Sequence, residues 1–553
     1  MRLFKRFLLL FCVLAVLLSS LSSCAGLFLL SGNLLEGMEI QKEQSGEEEN
    51  VPANDQLAYT LTDADRQAFL GYLDELETLI LEERSADEEK INEVNEKIET
   101  SYYHIATQAE LAYIYHCLDE TDTARSEAYL FASGMRSDVF NAYETTCKKI
   151  DLSDAPGKAV FFADWSEEDL EEMRGYSEEH TALIKANDQI EVAYRSLSRT
   201  EKMNQAPDLY LQIVENNQRI AALCGYENYA GYAYAKIYKR DYTPDDARQI
   251  HQSVKSTLLP ACQNALAKFQ EGYSALSTKE RATVRALLEG EYSGAWDLMN
   301  GYFSSFSAEV ETGMKSLFLP ENHFLTNSKN ADEGAFTTYL YDYERPICYF
   351  GPGYHDAYTI LHELGHYYSA ICSNDELEMD IAETQSQANE WLFTAYLQIA
   401  AKNETLAETV LYYQLYSALR TIVMSSIIDE FEQSVYSDPP ESGEEFDARM
   451  REICQGYGGV DWVKSQFADP MRYWRLVVLE SPCYYISYAF SMLASINFYE
   501  LALKDYAAAQ NAYLALAALE LDEGETYCQW LEEQGMQTPF EASYYQSIAR
   551  LAA

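Results

Sequence analysis

The feature that most constrains this chain is the pentapeptide His362-Glu363-Leu364-Gly365-His366. On an α-helix, side chains four residues apart lie on the same face, so His362 and His366 can bind one metal ion while Glu363 serves as a base beside it. The surrounding sequence favours a helix. Asp356 follows the turn-forming segment 351–353 at a position suited to an N-cap, and apolar residues continue from there into His362.

A catalytic zinc ion takes three protein ligands and leaves a fourth position for water, so a third group must come from another element. The segment 380–391 has the periodicity of a second helix, with Glu383 and Glu390 on one face. We predict Glu383 as the third ligand and Glu390 as a hydrogen-bond partner of a ligating histidine, because such carboxylates orient the ring. The sequence leaves three other acidic residues open as the third ligand: Glu376, Glu378 and Asp380.

Taken together, these residues resemble the thimet oligopeptidase and oligoendopeptidase F family of zinc metallopeptidases. In that family the HExGH helix is followed by a glutamate that opens an E-x-x-S-Q-x-x-E segment, and residues 383–390 match every fixed position. Further similarity lies in residues 223–230, 240–244 and 480–488, so the resemblance spans about residues 205 to 510.

The resemblance implies a mainly α fold, with two helical lobes around a deep substrate cleft and a small β element next to the metal helix. Strand character is confined mainly to residues 336–350. The implied activity is hydrolysis of internal bonds in short, unstructured peptides. One Zn²⁺ per chain would be held by His362, His366 and Glu383, and Glu363 would activate the zinc-bound water.

Peptide hydrolysis also needs a donor for the negative charge that develops on the scissile carbonyl oxygen. Residues 480–488 resemble the tyrosine-bearing segment that faces the metal in this family. Tyr485 and Tyr488, three apart on one helix face, are the predicted catalytic donors, with Tyr484 in reserve. The family commonly places a histidine just before this segment, whereas no histidine follows His366 in this chain.

Two other functions remain compatible with these residues. One is a catalytically inactive peptide-binding lipoprotein of the same fold, which would keep the cleft without turnover. The other is a zinc carboxypeptidase or amidase that acts on cell-wall peptides, because the same metal ligands support that chemistry. Glu363 argues against the first alternative, since a protein that only binds peptides has no need of a base.

The N-terminal residues predict export and lipidation. Arg2, Lys5 and Arg6 precede an apolar run at 7–18, and the segment 21–24 resembles the lipobox of bacterial lipoproteins. This similarity implies a signal peptide at 1–23, a lipid anchor on Cys24 and a location on the extracytoplasmic face of the cell membrane. An uncleaved N-terminal anchor is the alternative.

Composition divides the remaining chain. Residues 24–56 form a lipidated N-terminus followed by a polar, acidic segment that we predict to be a disordered tether. A helical region at 57–204 and a metallopeptidase region at 205–553 follow. The net charge is −49, and removing the three basic residues of the signal peptide makes it −52. Nucleic acid is therefore excluded as a partner, because phosphate contacts need a basic surface.

Overall fold

A computed structural model describes residues 57–553 with the exception of 168–169, 171–172, 175–176, 196, 198, 289–291, 374–377, 401, 480 and 522–524. The predicted signal peptide, Cys24 and the tether lie outside the described residues. The described chain divides into two compact units, which are residues 57–177 with 316–354 and residues 178–315 with 355–553. In this division residues 178–204 belong to the second unit.

The first unit combines helices with a small sheet. Its helices are α1 (Asp63–Glu77, continued by a π-helical turn at Thr78–Glu82), α2 (Glu88–Leu118), α3 (Thr123–Asp151) and α4 (Lys158–Phe161). The side chains of Asp87 and Asp122 accept hydrogen bonds from first-turn amides of α2 and α3, which satisfies donors that have no partner within the helix.

The sheet has three strands in the order β1-β3-β2: β1 (His323–Leu325), β2 (Ala335–Leu340) and β3 (Arg345–Phe350). The region expected to have strand character is a hairpin, in which β2 runs antiparallel to β3 and pairs Ala335 with Phe350. Glu344 closes the hairpin with a φ of 48°. The parallel strand β1 was not predicted, because three residues are too few for a periodic signal.

The second unit is helical among its described residues. Its helices in chain order are α5 (Glu178–Arg195), α6 (Arg199–Leu223), α7 (Tyr229–Tyr232), α8 (Pro244–Ser253), α9 (Leu259–Ala275), α10 (Thr278–Leu288), α11 (Trp296–Phe303), α12 (Ala308–Lys315), α13 (Ala357–Cys372), α14 (Met379–Ala400), α15 (Glu404–Ser437), α16 (Gly443–Gln455), α17 (Val460–Gln466), α18 (Pro470–Val477), α19 (Ile486–Lys504), α20 (Tyr506–Ala517), α21 (Tyr527–Glu533) and α22 (Ala542–Leu551). The predicted mainly α fold is confirmed.

Helices α14 and α19 lie at the centre of this unit. Every residue of α19 from Ile486 to Tyr499 is buried, and α14 packs against α13, α15, α19 and α20. A helix covered on all sides carries small and apolar residues around its whole circumference, so it has no polar stripe. Within the described part of the chain, no helix is both long enough and apolar enough to span a membrane.

Candidate metal centre

Helix α13 presents the pentapeptide, and Asp356 fixes where this helix begins. The Asp356 carboxylate accepts hydrogen bonds from the backbone amides of Tyr358 and Thr359 at 3.0 and 3.1 Å. This is the geometry of an N-cap, and the predicted helix is confirmed with Ala357 as its first residue. The predicted second helix is also confirmed, within α14.

Gly365 allows α13 and α14 to approach each other closely. A Cβ atom added to Gly365 would lie 2.5 Å from the Cα of Ser386, closer than side chains tolerate. The Asn389 side chain reinforces the contact, since its amide nitrogen donates a hydrogen bond of 2.7 Å to the Leu361 carbonyl. Glycine therefore stands inside this helix because the backbone of a neighbouring helix occupies the space of a side chain.

The close packing brings two histidines and one glutamate together. One potential ligand atom from each of His362, His366 and Glu383 lies within 4.8 Å of the others. The distance from His362 Nε2 to Glu383 Oε2 is 3.7 Å. His366 Nε2 is buried and has no hydrogen-bond partner among the described residues. Two imidazole nitrogens and one carboxylate oxygen at this spacing fit a zinc ion with an open fourth position.

The other acidic residues proposed as third ligand are placed differently. Among the described residues, neither Glu378 nor Asp380 belongs to this cluster. Asp380 is buried instead near the guanidinium of Arg240, whose charge counteracts the rise in the Asp380 pKa caused by burial. Glu376 lies outside the described residues.

Glu390 bridges His362 to a third helix. Its Oε1 lies 2.8 Å from His362 Nδ1, and its Oε2 accepts a hydrogen bond of 2.7 Å from the side-chain amide of Gln414 on α15. A carboxylate on Nδ1 favours the tautomer that carries its proton there, which leaves Nε2 available to a metal. The sequence did not reveal Gln414, because a contact 24 residues away in the chain leaves no local pattern.

The electrostatics of the two histidines differ. Burial opposes the charged form of His362, but the hydrogen bond and charge of Glu390, with the charges of Glu383 and Glu363, raise its pKa to about 9. Burial and the neighbouring His362 hold the pKa of His366 well below its usual value. Their surroundings thus shift the pKa values of the two histidines in opposite directions.

Tyr484 lies beside Glu383, and the other two tyrosines pack against Tyr484. The hydroxyl of the reserve candidate Tyr484 lies 3.3 Å from Glu383 Oε1 and 3.1 Å from Met379 Sδ. The carboxylate is the stronger acceptor of its proton, since a thioether sulfur accepts only weakly. The Tyr484 ring is 5.9 Å from that of Tyr485 and 5.0 Å from that of Tyr488, and all three residues are buried. Glu363 is buried on α13, between the two histidines in sequence. Tyr484 therefore places its hydroxyl beside a potential metal ligand.

No protein-family model and no curated protein sequence matches this chain. Solved structures do match. PZ peptidase A, solved with an inhibitor, superposes with a TM-score of 0.67 at 17% identity over 90% of this chain and 98% of its own. A protein provisionally assigned as oligoendopeptidase F from Bacillus anthracis str. Ames gives a TM-score of 0.62 at 17% identity, over 89% of this chain and 95% of its own.

A second protein provisionally assigned as oligoendopeptidase F matches with a TM-score of 0.64 at 18% identity, over 90% of this chain and 96% of its own. At such identities the likeness defines the fold. The chain has the fold of oligoendopeptidase-type metallopeptidases and carries a cluster of two histidines and a glutamate on adjacent helices of that fold.

Proposed function

We propose that this protein is a zinc-dependent oligoendopeptidase that hydrolyses internal bonds of short, unstructured peptides. The observation that carries the proposal is the cluster of His362, His366 and Glu383, with Glu363 on the same helix as the two histidines. The fold shared with PZ peptidase A supports the reaction class, and the fold shared with two proteins provisionally assigned as oligoendopeptidase F supports the preference for short peptides. The resemblance of residues 21–24 to a lipobox supports a location on the extracytoplasmic face of the membrane.

A zinc ion bound by these three side chains would act as a Lewis acid toward water and toward the scissile carbonyl. Glu363 takes the proton of the attacking water and returns it to the leaving amine, a general-base role that a buried carboxylate within reach of the reacting atoms can fill. Tyr485 and Tyr488 are the proposed donors to the carbonyl oxygen. Losing one such donor typically costs about 2.7–4 kcal/mol in the activation barrier.

The test is cleavage of a mixed library of quenched-fluorescent peptides by the purified, zinc-loaded protein, with products mapped by mass spectrometry. Glu363→Gln removes the base and keeps the size of the side chain. Glu309→Gln is the matched control, because Glu309 is an exposed glutamate on α12. We expect internal cleavage by the wild type and by the control, and a loss of at least about 100-fold in Glu363→Gln.

Other outcomes identify the alternatives. Stoichiometric zinc without turnover would contradict the proposal and favour a peptide-binding protein. Cleavage that removes only terminal residues, or that requires a free terminus, would indicate a carboxypeptidase or an amidase. Internal cleavage that persists in Glu363→Gln would show that another group is the base.

A further inference from the structure

The turn that carries Tyr484 has a strained backbone. This turn comprises residues 481–485 and precedes α19. Cys483 has a φ of 64°, a left-handed conformation that residues other than glycine rarely adopt. Such strain persists only where the surroundings impose it. The turn must therefore be held by contacts with the rest of the unit.

Three buried side chains provide these contacts. The Tyr238 hydroxyl donates a hydrogen bond of 2.9 Å to the Pro482 carbonyl. One nitrogen of Arg240, Nη2, lies 2.9 Å from the Cys483 carbonyl and 3.1 Å from the Tyr484 carbonyl. Glu432 Oε1 accepts a hydrogen bond of 2.9 Å from the Cys483 amide. The three carbonyls from Pro482 to Tyr484 and the Cys483 amide thus contact side chains distant in sequence, while the Tyr484 amide donates to the Ser481 carbonyl within the turn.

The arginine in this set is itself fixed. Its guanidinium carbon lies 4.2 Å from the ring centre of Tyr234 and 4.4 Å from that of Tyr238, so it packs against two aromatic rings. Nη2 also donates a hydrogen bond of 2.8 Å to Ser487 Oγ at the start of α19. Burying a guanidinium costs free energy unless its surroundings compensate the charge. The carbonyls of Cys483 and Tyr484 provide part of this compensation, so Arg240 and the turn stabilise each other.

Near the end of the turn, Tyr484 contacts one of the two carboxylate oxygens of Glu383 and leaves the other to face His362. Its hydroxyl donates to Oε1 at 3.3 Å, while Oε2 lies 3.7 Å from His362 Nε2. A carboxylate can rotate about its last bond and can offer a metal one oxygen or both. A hydrogen bond to one oxygen selects the orientation and leaves the other oxygen to the metal.

We propose that Tyr238, Arg240 and Glu432 are positioning residues that hold the 481–485 turn so that Tyr484 donates to Glu383 Oε1 and fixes Glu383 as a single-oxygen zinc ligand. The inference rests on the proposed zinc site and extends it to side chains that do not touch the metal. It also assigns the Tyr484 hydroxyl to the ligand carboxylate, and not to the substrate.

The test measures the affinity of the full-length protein for Zn²⁺ in competition with a chromophoric chelator. Tyr484→Phe removes the hydrogen bond itself. Tyr238→Phe removes one restraint on the turn and keeps the ring that packs on Arg240. The matched control is Tyr234→Phe. Tyr234 also packs on Arg240, but its hydroxyl donates to Asp429, which keeps a hydrogen bond from Gln433 and an ion-pair contact with His251.

We expect zinc affinity to fall about 10-fold in Tyr484→Phe and in Tyr238→Phe, and to stay at the wild-type value in the control. The double variant Tyr238→Phe/Tyr484→Phe should bind zinc no more weakly than Tyr484→Phe alone, because both changes remove the same restraint. A purely structural role for Tyr238 predicts losses that multiply, and this result would overturn the inference.

Variants of Glu432 provide a second test in the same assay. Glu432→Gln retains an acceptor for the Cys483 amide and should bind zinc as the wild type does, whereas Glu432→Met lacks the acceptor and should match Tyr484→Phe. If Glu432→Met does not fold, the zinc affinity of Tyr238→Phe decides whether the turn positions Tyr484.

Wild-type zinc affinity in both Tyr484→Phe and Tyr238→Phe contradicts the inference even if peptides are cleaved. Zinc bound as expected but without peptide cleavage contradicts only the proposed function, and a wild type that binds no zinc overturns both.

Discussion

A metal-ligating histidine is oriented by the group on its second ring nitrogen. His362 has Glu390 there at 2.8 Å, and Glu390 is held in turn by Gln414. This chain of contacts joins α13, α14 and α15 through three side chains. It is the kind of detail that sequence can suggest only in part, since Glu390 lies at helical spacing from Glu383 but Gln414 has no such relation to either.

Glu390→Gln should weaken zinc binding by about 10- to 100-fold without unfolding the protein, because a neutral amide polarises the His362 ring less than a carboxylate does. Chelator competition measures the affinity, and circular dichroism checks the fold. Glu408→Gln on the exposed face of α15 is the control. Equal zinc affinities for Glu390→Gln and wild type would show that the His362–Glu390 contact does not affect how strongly His362 binds zinc.

Asp151 provides a pH-dependent prediction at the same scale. Hydrogen bonds from Arg174 and Lys158 outweigh the effect of burial and lower its pKa to about 2. Since the folded pKa lies below the unfolded value of about 3.9, the stabilisation is complete above that value and disappears as pH falls through about 2. Asp151→Asn should therefore lower the free energy of unfolding by about 1–3 kcal/mol at pH 7.

Urea unfolding of wild type and Asp151→Asn between pH 7 and pH 3 measures this effect. The difference between the two proteins should shrink steadily as the pH falls below about 4. Asp154→Asn is the control, because the Asp154 side chain is 90% exposed and its ion pair with Arg84 contributes little. A difference that stays constant over this pH range would exclude the carboxylate as its source.

At the scale of elements, the contact between α13 and α14 sets the geometry of the candidate site. Gly365→Ala would place a methyl group 2.5 Å from the Ser386 Cα, so the two helices must separate. We expect a net loss of stability of about 1–2 kcal/mol from overpacking, even though alanine favours a helix by about 1 kcal/mol. Zinc affinity should fall as well, because the histidines and Glu383 lie on opposite sides of this contact.

The control for Gly365 is Gly134→Ala. Gly134 lies inside α3 with no atom within 4 Å of the position that a Cβ would take. This variant should gain up to about 1 kcal/mol of stability and leave zinc affinity unchanged. Thermal unfolding with zinc titration distinguishes the two sites. A Gly365→Ala protein with wild-type stability and affinity would contradict the close-packing account.

Elements with strong local signals were predictable, and elements held by distant contacts were not. The N-cap at Asp356 and the apolar spacing after it identified α13, and acidic residues at helical spacing identified α14. The strand β1 pairs only three residues with β3. The contacts from Tyr238 and Arg240 to the 481–485 turn join residues more than 240 positions apart. Such contacts depend on tertiary packing and leave no periodic trace in the sequence.

At the scale of the whole molecule, the fold agrees with the resemblance drawn from short motifs, although sequence identity to the matching structures is 17–18%. The two motifs at 362–366 and 383–390 lie on α13 and α14, which pack against each other in the second unit. The net charge of −49 leaves the substrate class open, and the predicted membrane anchor depends on Cys24.

Cys24→Ala should release the protein from the membrane fraction when it is expressed in a bacterium that processes lipoproteins, because lipid attachment requires the thiol. Fractionation followed by immunoblotting measures the distribution, and Cys12→Ala, inside the apolar run, is the control. Retention of Cys24→Ala in the membrane would instead support an uncleaved N-terminal anchor.

The most direct test of the account is zinc anomalous diffraction from crystals of the zinc-loaded wild type and of Glu363→Gln. We predict one anomalous peak bounded by His362, His366 and Glu383 in both proteins, since Glu363 acts as a base and not as a ligand. A peak at another set of residues, or a peak that disappears with the Glu363 carboxylate, would contradict the proposed division between metal ligands and base.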